Sequence, residues 1–159
     1  MSKIEFEWNK QKALQASKIV YDWDMKHSPK RFVGWLFIAL TQFGIVGALK
    51  HNAFGLLFIS TFLVLYWYVF RWQVRKYFLN KFYAKQLPSP VTIVLDVTDE
   101  GITHNNQLFS WDEVYGVRVI DDAILLQLQG ELLFFSKDAF ATYEEFQEFK
   151  ELLTQKGKI

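Results

Sequence analysis

Two long apolar stretches without a charged residue stand out in the pattern of hydrophobic and polar positions. They cover residues 32–49 and 53–70, eighteen positions each. As helices rising about 1.5 Å per residue, each would span roughly 27 Å, close to the ~30 Å hydrocarbon core of a bilayer. Gln42 is the one strongly polar side chain of the first stretch, whereas a helix of a soluble protein needs a polar stripe. The pattern predicts a hairpin of two transmembrane helices over residues 32–70.

The residues around the two stretches predict how the hairpin is oriented. The connection, residues 50–52, is too short for anything but a tight turn, so both chain ends would lie on one side of the membrane. Nine basic residues flank the outer ends of the hairpin, against Lys50 alone in the connection. The positive-inside rule therefore predicts a multi-pass membrane protein with both termini in the cytoplasm. The nine are Lys18, Lys26, Lys30, Arg31, Arg71, Arg75, Lys76, Lys81 and Lys85.

Residues 1–31 are predicted to form a cytoplasmic strand and an amphipathic helix rather than a signal peptide. The apolar stretch begins too late for a signal peptide, and no small-residue cleavage site follows it. Ile4, Phe6 and Trp8 alternate with polar residues as in a strand, and residues 10–26 have a helical pattern. We expect the strand, residues 3–8, to join an edge of the cytoplasmic sheet.

Three small residues in the first stretch, Gly44, Gly47 and Ala48, are candidates for helix packing. Gly44 and Ala48 have the small-xxx-small spacing that lets two helices approach closely. The contact is either with the second helix of the hairpin or with another copy of the chain, because two helices alone leave much surface facing lipid. A homo-oligomer is therefore an open alternative.

Residues 71–90 predict a basic juxtamembrane helix and linker. Val74, Phe78 and Phe82 recur every four positions, and the basic residues stay off this stripe. Such a helix suits the anionic inner leaflet of the bilayer, where each basic residue contributes about 1 kcal/mol. The alternative is an ordinary stop-transfer flank. Pro88 and Pro90 would end the helix. The residues expected at the membrane surface are Arg71, Arg75, Lys76, Lys81 and Lys85.

Residues 91–159 change to a pattern of short strands followed by one helix. Turn residues such as Asn105-Asn106 separate about six predicted antiparallel strands. The fourth of them is expected at about 114–120. Thr142 and Glu145 have the capping-box spacing that begins a helix. The predicted fold class is membrane α+β, in which a two-helix transmembrane hairpin carries a small antiparallel β domain closed by a C-terminal helix. We expect its strands to form one curved sheet or a partial barrel.

Charge and residue types exclude several classes of function. The net charge is +3 for residues 1–31, +5 for residues 71–90 and −8 for residues 91–159. The acidic domain argues against nucleic acid as a partner and against direct binding of this domain to an anionic membrane surface. The chain has no cysteine, and its three histidines lie in unrelated segments. Because glycine-rich phosphate loops and serine elbows are also absent, we expect no enzyme activity, no catalytic residue, no metal and no cofactor.

Four short motifs, in this order, resemble the YcxB-like family of bacterial membrane proteins. They are residues 99–102 (DEGI), 111–114 (WDEV), 135–140 (FSKDAF) and 144–146 (EEF). The order of parts along the whole chain resembles that family too, although its members often have proline where Ser136 stands. The resemblance implies a location in the bacterial inner membrane, a two-span topology and a pleckstrin-homology-like cytoplasmic domain. The family has no agreed activity and no established functional residues to transfer.

Three residues of this domain are predicted to have structural roles. We expect Gly101 to adopt a positive φ in a tight turn, since glycine does so without steric cost. We expect Trp111 to bury its ring where sheet and helix meet, and Phe140 to anchor the final helix.

The expected function is that of a membrane-anchored cytoplasmic interaction module. Its partners would be the lipid bilayer and a protein on the cytoplasmic side, and its role that of a regulator or assembly partner of an inner-membrane complex. The alternatives are an immunity protein that guards the inner membrane against a toxin, and a lipid-sensing membrane protein.

Overall fold

The protein is described by a computed structural model that covers residues 2–159. It divides into two compact units, one made of the residues up to 17 together with residues 83–159, the other of residues 18–82. The division falls inside two helices, α1 (Lys10–His27) and α4 (Arg71–Gln86). Residues 18–82 are therefore inserted into the sequence of the first unit.

The unit of residues 18–82 contains the two predicted apolar helices. The first is α2 (Arg31–His51), and the second begins as α3 (Gly55–Leu65). A π-helical turn, Tyr66–Phe70, joins α3 to α4, so that one continuous helix runs over Gly55–Gln86. By length and composition both long helices are able to cross a membrane.

A tight turn joins α2 to α3. Asn52 adopts the left-handed conformation with φ 54°, and its backbone N–H donates to the carbonyl of Gly47. The N–H of Ala53 donates to the same carbonyl at 3.3 Å. Asparagine tolerates this conformation better than most residues, which is why the short connection predicted from the sequence closes the hairpin here.

The other unit contains two small antiparallel sheets. The first sheet has the order β1-β2-β3-β4 and the second the order β5-β6-β7. Their strands are β1 (Ser2–Trp8), β2 (Val91–Val97), β3 (Gly101–His104), β4 (Gln107–Ser110), β5 (Arg118–Ile120), β6 (Ala123–Leu128) and β7 (Glu131–Ser136).

The predicted N-terminal strand is confirmed, and it lies at the edge of the first sheet. It pairs with β2 along its whole length, from Ser2 opposite Val97 to Trp8 opposite Val91. Strands 83 or more positions apart in sequence thus become neighbours. The buried side chains of Ile4, Phe6 and Trp8 enter the core of this unit, where the rings of Phe6 and Phe135 lie 5.1 Å apart.

The strands of the domain form two sheets rather than one continuous curved sheet. A 3₁₀ turn, Trp111–Glu113, and an extended segment follow β4, so that the strand expected at 114–120 begins only at Arg118. Glu113 Oε2 accepts hydrogen bonds from the N–H of Ser110 at 2.8 Å and from its hydroxyl at 3.1 Å. This local capping favours a helical turn over a continued strand, and the chain then begins a second sheet.

The predicted turns and final helix are present. Asn105 and Asn106 both have positive φ, 50° and 61°, as a two-residue hairpin with the right-handed strand twist requires. The final helix is α5 (Tyr143–Gln155). Thr142 Oγ1 accepts from the N–H of Glu145, but Glu145 Oε2 accepts from the N–H of Ala141 rather than from that of Thr142. The capping box is therefore only half as predicted.

Candidate functional site

A cluster of cationic and aromatic side chains joins α1 and α4 within the unit of residues 18–82. We call it the Tyr21 cluster. The rings of Tyr21 and Trp72 lie 5.1 Å apart, and Arg71 Nη1 donates to Met25 Sδ at 3.1 Å. The α1 members follow a helical spacing of three and four, so they share one face. The members are Lys18, Tyr21, Met25, Trp67, Arg71, Trp72 and Arg75.

Three cations surround the ring of Tyr21. The guanidinium carbons of Arg71 and Arg75 each lie 5.6 Å from its centroid, and Lys18 Nζ lies 5.9 Å from it. Tyr21 itself is buried. Cations within about 6 Å of an aromatic face are attracted by the ring quadrupole, so the tyrosine fixes the positions of two arginines that stand one helical turn apart.

The indole of Trp67 extends the cluster towards the apolar segment. The guanidinium carbon of Arg71 lies 4.0 Å from the Trp67 ring centroid. Trp67 belongs to the π-helical turn, and its Nε1 is buried with no hydrogen-bond acceptor among residues 2–159. This region therefore holds a buried donor beside a charged one.

Two carboxylates near the cluster are already paired. Lys18 bonds Asp22, and Lys30 Nζ donates to Asp24 Oδ2 at 2.8 Å. The hydrogen bond from Lys30 lowers the pKa of Asp24, and the positive charges of Arg71 and Arg75 lower it further. In the part of the chain that the structure describes, neither Arg71 nor Arg75 has a carboxylate within 4.0 Å. Positive charge is thus in excess.

Of the five basic residues that the sequence predicted at the membrane surface, the structure brings only Arg71 and Arg75 into the cluster. Lys81 instead lies over the ring of Tyr77 at 4.8 Å, and Lys76 and Lys85 are exposed farther along α4. Sequence reasoning missed Tyr21 and Trp72. The spacing of Lys18, Tyr21 and Met25 on one face of α1 was the available signal, but it did not show which helix this face contacts.

Gly44 packs inside the hairpin. A Cβ on Gly44 would lie 2.8 Å from Leu57 Cα, so only glycine allows the backbones of α2 and α3 to approach so closely. Ala48 is buried. Gly47 is different, because its carbonyl closes the turn and a Cβ there would make only an ordinary contact, 3.8 Å from the carbonyl oxygen of Ala53. Of the two contacts considered from sequence, Gly44 makes the one within the hairpin.

The three residues with predicted structural roles lie in the other unit. Trp111 is buried and its Nε1 donates to the carbonyl of Asp99 at 2.9 Å. Phe140 is buried and its ring lies 5.4 Å from Phe146 of α5. The positive φ expected for Gly101 was wrong. Its requirement for glycine is steric, because a Cβ there would lie 2.0 Å from the carbonyl oxygen of Phe109 on β4.

One histidine is buried in this unit. His104 Nε2 lies 3.0 Å from Asn105 Nδ2 and 3.2 Å from Glu131 Oε2, and Nδ1 is buried without a partner among the described residues. Over residues 2–159 no group of three or more histidine or acidic side chains is placed to hold a metal ion. Beyond the opposite end of β7, a hydrogen bond from Lys137 to Asp122 raises the pKa of Lys137.

The family comparison concerns the unit that includes residues 83–159. The family model described as YcxB-like protein matches residues 97–153, from the last residue of β2 to Leu153 of α5. No curated protein and no solved structure matches the chain. The match contains the motifs that carried the resemblance in the sequence, while the hairpin and β1 lie outside it. Residues 97–153 therefore match the YcxB-like family that the motifs indicated.

Proposed function

We propose that the chain is a membrane-anchored interaction module. In this proposal α2 and the helix Gly55–Gln86 cross the inner membrane of a bacterium, both termini are cytoplasmic, and the YcxB-like domain binds a protein there. Its role is that of a regulator or assembly partner of an inner-membrane complex. The observation that carries the proposal is the exposure of apolar side chains on the two long helices.

The two helices bury little of their apolar surface within the chain. In the most apolar 18-residue part of α2 only 17% is buried, and in that of the helix Gly55–Gln86 only 6%. Phe43 is 69% exposed and Phe58 is 71% exposed. A core helix of a soluble protein would be mostly buried, and exposed apolar patches of this extent mark surfaces that contact a membrane or another protein. Lipid covers such a surface on all sides.

The flanks of the helices support cytoplasmic termini. Arg31 and Arg71 stand directly outside the two apolar stretches, and aromatic residues such as Trp35 and Trp67 lie one turn inside them. Tryptophan and tyrosine favour the bilayer interface, and arginine and lysine favour its cytoplasmic side. At the opposite end the turn carries Lys50 as its single formally charged residue.

The YcxB-like domain offers an acidic surface to a partner. On α5 the side chains of Glu144, Glu148 and Glu151 are exposed, while Phe146, Phe149 and Leu153 are buried against the sheets. A partner with a basic surface would be complementary to this outer face of α5. Two small antiparallel sheets closed by a C-terminal helix also support the finer assignment of a pleckstrin-homology-like domain, although fold alone does not establish function.

A photo-cross-linking amino acid in intact cells tests the proposal. Placed at position 148, it is expected to yield one reproducible adduct with a cytoplasmic or membrane protein, and adding the double substitution E144K/E151K should abolish that adduct. The matched control carries the cross-linker at position 58, where lipid is expected and no protein adduct should form. Adducts at position 58 with this chain alone, and none at position 148, would argue instead for an oligomer that acts within the membrane.

A further inference from the structure

We infer that the Tyr21 cluster binds the phosphate group of an anionic phospholipid. Arg71 and Arg75 would hold the phosphate, and Trp67 and Trp72 would contact the adjoining part of the lipid. The inference rests on the proposed function, because it requires the apolar part of the hairpin to lie in a bilayer.

Arg71 and Arg75 have more hydrogen-bond donors than the chain supplies with acceptors. Arg71 donates to Met25 Sδ, and sulfur is a weak acceptor. No hydrogen bond or ion pair from Arg75 to an oxygen occurs among residues 2–159. Each guanidinium offers five N–H donors in a planar fork that matches the oxygens of a phosphate. An anion would supply the acceptors that the chain itself does not.

The aromatic rings of the cluster hold the two arginine side chains in place before a ligand binds. Both guanidiniums lie 5.6 Å from the ring of the buried Tyr21, and that of Arg71 also lies 4.0 Å from the ring of Trp67. Stacking on aromatic faces restricts the flexible arginine side chains before any ligand arrives. Less conformational entropy is then lost on binding than for two free surface arginines.

The acidic side chains near the cluster are paired with lysines and not with the two arginines. Asp22 and Asp24 are the acidic residues nearest the cluster in sequence, and each is paired with a lysine, Lys18 and Lys30 respectively. The pKa of Asp24 is lowered chiefly by the hydrogen bond from Lys30, and less by the charges of Arg71 and Arg75, neither of which forms an ion pair with it. The two carboxylates therefore leave Arg71 and Arg75 available to an external anion.

The positions of the two arginines along the helix set the depth of the site in a bilayer. Arg71 directly follows the uncharged stretch that ends at Phe70, and Arg75 lies one turn, roughly 6 Å, beyond it along the helix. With the hairpin in a bilayer, these positions fall at the level of the inner-leaflet phosphates. Basic pockets beside membrane helices on the cytoplasmic side are known to bind lipid headgroups, and the aromatic residues of the cluster favour the same level.

A titration of the purified full-length chain in detergent tests the inference. The probes are dioctanoyl-phosphatidylglycerol, which is anionic, and dioctanoyl-phosphatidylcholine, which is zwitterionic. We expect the natural chain to bind the anionic lipid about tenfold or more tightly, and R71Q/R75Q to lose about tenfold in affinity for it. The matched variant K76Q/K81Q removes the same charge from the same helix outside the cluster, and it should lose less than about threefold if a site rather than diffuse attraction is responsible.

Three results would overturn the inference: equal losses in the two double variants, equal affinity for the two lipids, or displacement of the lipid by an equal concentration of inorganic phosphate. If R71Q/R75Q does not fold, R71K/R75K decides the matter. That variant keeps the charge but loses the forked donors, so its affinity for the anionic lipid should fall measurably, and an affinity equal to that of the natural chain would contradict the assignment.

Alkaline carbonate extraction of membranes from cells that express the chain separates this inference from the proposed function. A chain that resists extraction yet shows no preference for anionic lipid contradicts the phosphate site alone. A chain that carbonate extracts contradicts the membrane anchor and the site together.

Discussion

The hairpin and the YcxB-like domain use the same residue types in opposite ways. In the domain Phe135, Phe146 and Phe149 are almost completely buried, whereas in the hairpin Phe43 and Phe58 are about 70% exposed. The domain must exclude water from a core made by sheet and helix. The hairpin has close internal packing mainly where small residues such as Gly44 allow it. The difference teaches that burial inside the chain is the wrong measure for a region whose proposed solvent is lipid.

Removal of β1 should have the largest effect, and it should destabilise the domain rather than the hairpin. This strand belongs to the domain although it precedes the hairpin in sequence. Deleting residues 2–9 removes the buried side chains of Ile4, Phe6 and Trp8. At about 1.5–3 kcal/mol for each buried side chain, the loss is on the order of 5 kcal/mol, comparable to the total stability of many domains.

The expected result of this deletion is a domain that proteases digest rapidly while the hairpin stays in the membrane fraction. Limited proteolysis of membrane vesicles, followed by mass spectrometry of the fragments, measures both. A domain that stays resistant after the deletion would show that the first sheet does not need its edge strand.

Truncation of one phenylalanine in each region compares the two directly. Phe146→Ala should destabilise the domain by about 3–5 kcal/mol, because it leaves a cavity in a packed core. Phe58→Ala should change stability by about 0.5 kcal/mol or less, as for an exposed position. Chemical unfolding of the two variants in detergent, followed by circular dichroism, provides the measurement. Similar losses in both would mean that Phe58 is buried against something, such as a second copy.

Substitution of two glycines tests where the hairpin is packed. Gly44→Ala should destabilise the contact of α2 with α3 by about 1–3 kcal/mol, because the new Cβ meets the backbone of Leu57. Gly55→Ala is the matched control, since no atom lies within 4 Å of a Cβ there. Disulfide formation between cysteines introduced across the hairpin reports its packing. An unaffected Gly44→Ala variant would contradict the close approach of the helices.

The smallest expected effect is a pH dependence at Asp24. Its pKa is below the ordinary value of 3.8 in the folded chain, chiefly because Lys30 donates to it. The stabilisation is therefore present above the unfolded-state pKa and is lost as pH falls through the folded-state value. The Asp24 side chain is 38% exposed, so after discounting for solvent screening the contribution is below about 1 kcal/mol. Asp24→Asn should be slightly less stable near neutral pH and equal to the natural chain at about pH 2, measured by thermal unfolding.

The elements with strong local signals could be predicted from sequence. The two apolar helices, the basic helix up to Pro88, the edge strand β1 and the turn at Asn105 each follow from a regular pattern or from residues with a distinct backbone preference. The motifs in residues 99–146 were enough to indicate the family that residues 97–153 match.

The features that depend on long-range contacts could not be predicted. Gly101 was recognised, but its steric role depends on Phe109 of the neighbouring strand. The division into two sheets follows from local capping by Glu113, which competes with a strand-like pattern. The Tyr21 cluster joins residues nearly fifty positions apart, such as Met25 and Arg71, and no pattern in α1 alone shows that contact.

The central claim is that the helices α2 and Gly55–Gln86 cross a membrane with both termini inside, and single-cysteine labelling tests it most directly. The chain has no native cysteine, so Lys50→Cys in the turn and Ser89→Cys after α4 give clean reporters. In spheroplasts treated with a membrane-impermeant maleimide, the account predicts labelling of Lys50→Cys, and labelling of Ser89→Cys only after the membrane is permeabilised. Equal labelling of the two variants before permeabilisation, or protection of both until then, would contradict it.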